Sequence, residues 1–210
     1  MVSAIGALLL AVAAAASPAA ETQALLEQLR SGTVDERRTA VARLAEVGDA
    51  TATGDLAKAL RDADRGVRAL AQAALWAIWH RSGDVEVDAL LQQGIAAMEA
   101  RRFPDAVTLF SDVIRRAPAF AEGWNKRATV YYLMGEWDRS LADCEEVVRR
   151  NPIHFGALSG FGLNYIQKDD LPRAAEYFEK ALRANPNLER IESLLDEIRE
   201  MLQKRRRQTI

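Results

Sequence analysis

Hydrolysis by a serine, a histidine and an acid requires a histidine within reach of the serine. This chain has two histidines, His80 and His154. His80 follows Trp79, and His154 falls in a turn between two helix-patterned segments, so neither sits among polar residues that would equip it. The one cysteine, Cys144, falls at a core position of the apolar pattern and reads as a buried, inert thiol. A lone cysteine closes no intrachain disulfide, and one cysteine with two scattered histidines makes no metal cage. Gly156, Gly160 and Gly162 in HFGALSGFGLNYIQ lie inside a helix pattern, not in a phosphate-cradling loop. Asp169-Asp170 stands in a turn and reads as a helix cap. The side chains thus point to no enzyme, no cofactor and no metal.

Charge narrows the partners. The formal net charge is -2, which disfavours general attraction to nucleic acid. The basic tail QKRRRQ, Gln203 to Gln208, reads as a solvated helix end whose cations complement the helix dipole. At the other end, MVSAIGALLLAVAAAASPAA has no charged side chain. Its apolar run, Ala4 to Ala16, is shorter than the roughly 20 residues of a membrane span but suits a secretory signal. Cleavage is expected between Ser17 and Glu21, giving a periplasmic protein with no membrane span; an uncleaved anchor is the alternative. No cysteine near the site allows a lipoprotein.

The elements that must position any site repeat. Pro118, Pro152 and Pro186 recur every 34 residues, and the same step carries Ala106 to Ser140 to Ala174, Phe110 to Cys144 to Phe178, and Ala97 to Tyr131 to Tyr165. Each unit therefore holds two helices, the second ended by proline. With Trp124 in the bulky slot and Gly94, Ala128 and Gly162 in the small slot, residues 87–188 resemble the tetratricopeptide repeat family, as units 87–120, 121–154 and 155–188. The resemblance implies an inner groove lined by the first helix of each pair. Its partner-contacting positions here are Met98, Asn125, Thr129, Tyr132, Ser159, Leu163 and Ile166, with Leu91, Ile95 and Leu133 beside them. Family members that clamp a C-terminal carboxylate place cations and asparagine where this chain has Leu91, Ile95, Gly156 and Gly160, so an apolar or mixed segment is the expected ligand.

Upstream, a step of 31 carries Leu25 to Leu56, Leu29 to Leu60, Arg37 to Arg68 and Leu44 to Leu75. DADRGVRALAQAAL, from Asp62 to Leu75, resembles the HEAT-like repeat pattern, giving two units within 21–84. Two units bury little core alone, so they are expected to stack on the downstream array through Trp76 and Trp79. After Pro186, Leu188, Ile191, Leu194, Leu195, Ile198 and Leu202 share one face of a helix; with the basic tail, residues 189–210 read as a cap.

The expected fold is an all-α, right-handed α-solenoid of helix-turn-helix repeats with a C-terminal capping helix. The expected function is non-catalytic: a scaffold or adaptor of the bacterial cell envelope that binds a peptide or protein segment in the concave groove. Self-association as a structural repeat protein and RNA binding are the rival readings. Gly162 is expected to let two helices cross, and Gly156 with Gly160, four apart on one face, to serve helix packing, with close approach of a ligand as the alternative.

Overall fold

A computed structural model describes residues 17–208. The apolar run of the expected leader lies outside them. The last residues assigned to that leader, Ser17 to Ala20, form the N-cap and first turn of α1, where the Ser17 hydroxyl accepts from Ala20 N at 3.3 Å.

Among the described residues the chain is helical throughout, with no strand. Four helices form the N-terminal block: α1 (Pro18–Ser31), α2 (Val34–Val47), α3 (Thr53–Ala59) and α4 (Arg65–Trp79). Local chemistry sets their ends. Thr33 and Glu36 close a capping box on α2, and Asp64 caps α4 through Val67 N. The Arg38 hydrogen bonds and the Val67 amide hold the Asp64 carboxyl down at about 2. Between the layers, Arg37 makes a two-pronged pair with Asp62, both contacts at 2.8 Å.

Three hairpins follow: α5 (Val85–Glu99) with α6 (Phe103–Arg116), α7 (Ala121–Leu133) with α8 (Trp137–Arg150), and α9 (Phe155–Gln167) with α10 (Leu171–Ala184). They stack in sequence as a right-handed α-solenoid, and α11 (Glu189–Gln208) caps the last pair. The turn inside each hairpin repeats its backbone geometry. Arg101, Gly135 and Asp169, each 34 residues from the next, all take positive φ, at 57°, 76° and 55°. Asp169 is thus the left-handed turn residue and Asp170 the cap, accepting from Arg173 N. On α11, Ile191, Leu195 and Ile198 are buried against the third hairpin, and Arg205 reaches back to Asp169 at 2.7 Å.

The N-terminal block packs on the edge of the array, where the turns between hairpins lie. Phe155 and partly buried Ile153, Ala184 and Leu188 join its core. Trp76 and Trp79 form the joint, with Phe155 5.2 and 4.9 Å from their rings. Arg68 donates to Asn187 Oδ1 at 3.1 Å, and Asn187 donates to Leu60 O at 2.8 Å. The block therefore braces the second and third hairpins from the side.

Candidate functional site

The small-slot rule explains where the array is solid and where it opens. In the first hairpin Gly94 faces Phe110, and in the third Gly162 faces Phe178; a methyl group built on either glycine would overlap the ring. Both rings are fully buried. In the middle hairpin the same two places hold Ala128 and Cys144. The added methyl is small and the lost ring is large, so the pair leaves space.

That space is a cavity of about 130 Å³ between α7, α8 and α9, lined by Asn125, Ala128, Thr129, Tyr132, Ser140, Cys144, Gly156, Ala157, Gly160, Leu163 and Asn164. No charged residue lines it. Burial pushes the Cys144 thiol up to about 12, with the Asp143 charge adding to the effect, so it stays a neutral, inert group.

Four of the seven expected contact residues meet here: Asn125, Thr129, Tyr132 and Leu163. Met98, Ser159 and Ile166 lie outside the cavity lining. Met98 packs partly against the core of the first hairpin and Ile166 against that of the third. Ser159 spends its hydroxyl on Phe155 O at 2.8 Å. Asn125 is only 8% exposed and donates to both oxygens of Glu122, so its amide nitrogen is engaged within the fold. Thr129 is exposed, and Leu133 and Met134 at the end of α7 are 49% and 38% exposed, forming an apolar lip beside Tyr132.

The glycine pair divides. A methyl on Gly156 would lie 2.6 Å from Trp76 Cη2, so this glycine admits the tryptophan of the joint. A methyl on Gly160 would meet only Cys144 Sγ, at 3.3 Å. Gly160 is cavity wall; the packing role expected for both holds for Gly156.

One cluster went unread in the sequence. Glu122, in the first turn of α7, is buried with His154, and their contact is 3.1 Å. His80 Nε2 reaches Glu122 Oε1 at 3.3 Å and Lys126 Nζ reaches it at 3.1 Å. Burial alone would push the Glu122 carboxyl up; the hydrogen bond from His154 and the nearby Lys126 charge outweigh it and hold it below the usual range. His154 Nδ1 accepts from Ala157 N at 3.1 Å, so Nε2 carries the proton donated to Glu122. Trp79 stacks on the His154 ring at 4.5 Å. Every partner of this carboxylate is accounted for within the fold, and the cluster is a joint between blocks. Among the described residues no group of three or more His, Cys, Asp or Glu could hold a metal ion.

A wider cleft, about 580 Å³, separates the N-terminal block from the first inter-hairpin turns and includes Trp79, Phe120, Arg81 and Arg150. Its cations are committed. Arg81 donates to Ala45 O at 2.7 Å and Gly48 O at 2.6 Å, and Arg150 to Pro118 O at 2.6 Å. The smaller cavity is the better site because four of the expected contact residues line it, the exposed Thr129 among them.

Comparison with known proteins agrees with this architecture. The tetratricopeptide repeat family model matches residues 91–152 and 125–189. A TPR repeat-containing protein of Rhizobium etli is 40% identical over 82 residues, which cover 39% of this chain and 40% of that protein. Hsp70-Hsp90 organizing protein 2 of Arabidopsis thaliana is 25% identical over 146 residues, 70% of this chain and 24% of the relative. The chain thus spans less than half the length of these relatives. Among solved structures, the Sgt2 TPR domain from Aspergillus fumigatus superposes with a TM-score of 0.56 at 25% identity, covering 59% of this chain and 83% of that one. MamA from Desulfovibrio magneticus covers 72% of this chain and 88% of its own at a TM-score of 0.52 and 24% identity, a likeness of fold. Residues 91–189, which hold nearly all of the three hairpins, thus match the tetratricopeptide repeat family model, and the Rhizobium etli and Aspergillus fumigatus proteins carry the same repeat.

Proposed function

We propose that the concave face of the array holds an extended peptide or protein segment and performs no chemistry on it, the chain acting as an adaptor or scaffold of the bacterial cell envelope. One observation carries the reading: Thr129, Tyr132 and Leu133 on α7 stand exposed or half-exposed beside an uncharged cavity whose far wall is α9. A preformed surface of this kind binds with little ordering cost. The places of a carboxylate clamp hold Leu91, Ile95, Gly156 and Gly160. The preferred segment is therefore uncharged, and an acidic C-terminal tail is a poor ligand even though Hsp70-Hsp90 organizing proteins are among the relatives.

In this reading the N-terminal hairpins are HEAT-like units that hold the second and third hairpins at a fixed angle. The leader delivers the protein to the periplasm, and no described helix is long and apolar enough to cross a membrane.

A photoreactive residue at Tyr132, with a second at exposed Glu176 on α10 as the outer-face control, tests this in cells. A discrete adduct from Tyr132 alone supports the groove. Adducts from Glu176 alone, or only a second copy of this chain at both positions, contradict it.

A further inference from the structure

Asn164 is 1% exposed and lines the middle-hairpin cavity. Its amide nitrogen donates to Ser140 Oγ at 2.9 Å and to Gly160 O at 2.8 Å. Ser140 spends its own hydrogen on Ala128 O at 2.8 Å. The orientation of the carboxamide is thereby fixed, because a flipped group would set its oxygen against two acceptors. Asn164 Oδ1 is left as the one buried side-chain oxygen or nitrogen among the described residues with no hydrogen-bond partner. A buried acceptor in that state is satisfied by a donor entering the cavity.

The wall defines what can enter. It has no charge to balance an ammonium or a carboxylate, and Ala128, Cys144, Ala157 and Leu163 make much of it apolar. Of the lining residues, Thr129 is exposed and Tyr132 half-buried, so the cavity meets solvent on the α7 side. We propose that the cavity is a side-chain subsite of the groove, which takes a neutral N–H donor on a short aliphatic stem, as in the carboxamide of asparagine or glutamine, and sets it on Asn164 Oδ1. The subsite gives the groove reading its specificity: a carboxamide at one position of the bound segment, where a carboxylate or an ester leaves the acceptor unpaired. Cys144 makes the room, since phenylalanine fills the same place in both neighbouring hairpins.

The test needs no partner protein, so its failure is separable from failure of the groove reading. The full chain, isotope-labelled, is titrated with isobutyramide, with methyl isobutyrate as the isostere lacking a donor and isobutylamine as the charged analogue. The expected result is saturable movement of the Asn164 side-chain and Gly160 amide signals by the amide, at about tenfold higher affinity than the ester. The double variant Ala128→Gly, Cys144→Phe recreates the pair found in both flanking hairpins and should fold while losing the response. Should it fail to fold, Asn164→Leu serves: amide and ester then bind alike. Equal binding of amide and ester by the wild type, tighter binding of the amine, or no response to any probe overturns the proposal, the last marking a hydration site only.

Discussion

Glu122 and His154 meet at 3.1 Å with neither side chain exposed to water. Glu122 stands in the first turn of α7 and His154 is the N-cap of α9, and the indole of Trp79 from the N-terminal block covers the imidazole. Removing the carboxylate leaves the buried His154 N–H without an acceptor, which costs about 1–3 kcal/mol. Glu122→Ala should therefore lower the urea midpoint sharply, without a comparable effect from an exposed acid such as Glu200→Ala. The pH dependence has a defined sign. The Glu122 carboxyl is held down in the folded state, so its contribution is present above the ordinary glutamate value of about 4.3 and fades as pH falls through the depressed value. Glu122→Gln should flatten that part of the acid limb of stability.

The glycines on α9 should separate by what faces them. Gly162→Ala forces a methyl into the Phe178 ring and should cost about 1–3 kcal/mol by overpacking. Gly160→Ala meets only the Cys144 sulfur beside a cavity, so the roughly 1 kcal/mol gain in helix propensity should hold the melting temperature level or raise it. Calorimetry of the two variants checks this, and the reverse order would place Gly160 in the packed core.

Arg101 adopts φ 57° where the middle hairpin uses Gly135. Arg101→Gly should relieve a left-handed conformation that costs an L-residue about 1–2 kcal/mol, partly offset by the entropy of glycine in the unfolded chain. A small rise in melting temperature is expected.

Helix α11 covers the third hairpin with Ile191, Leu195 and Ile198. Deleting residues 189–210 uncovers that apolar edge and should cause aggregation or a clear fall in melting temperature. Size-exclusion chromatography with light scattering decides the outcome.

The helical solenoid and its cap were legible because 34-residue periodicity fixes which positions face inward, from Gly94 and Gly162 to Phe110 and Phe178. The joint was half legible. Trp76 and Trp79 announced a contact, but period alone does not say which surface they meet, and the surface is the row of inter-hairpin turns. Glu122 was invisible for a related reason: the repeat puts Asp88 and Gly156 in the same place, so nothing marks the middle member as buried. Cys144 showed as a departure from an aromatic slot. Whether a missing ring collapses or leaves space depends on the facing helix, and Gly160 on α9 supplies nothing to fill it.

The central claim is that a partner segment is held on α7 and α9, at the mouth of the middle-hairpin cavity. The most direct measurement is the affinity of the segment crosslinked at Tyr132 for the wild type, Tyr132→Ala, Thr129→Arg and the outer-face variant Glu176→Arg, each with its melting temperature. Groove binding predicts a loss of tenfold or more, about 1.4 kcal/mol or above, for the first two variants at unchanged stability, and no loss for Glu176→Arg. Full affinity in Thr129→Arg and Tyr132→Ala, with loss in Glu176→Arg, would contradict it.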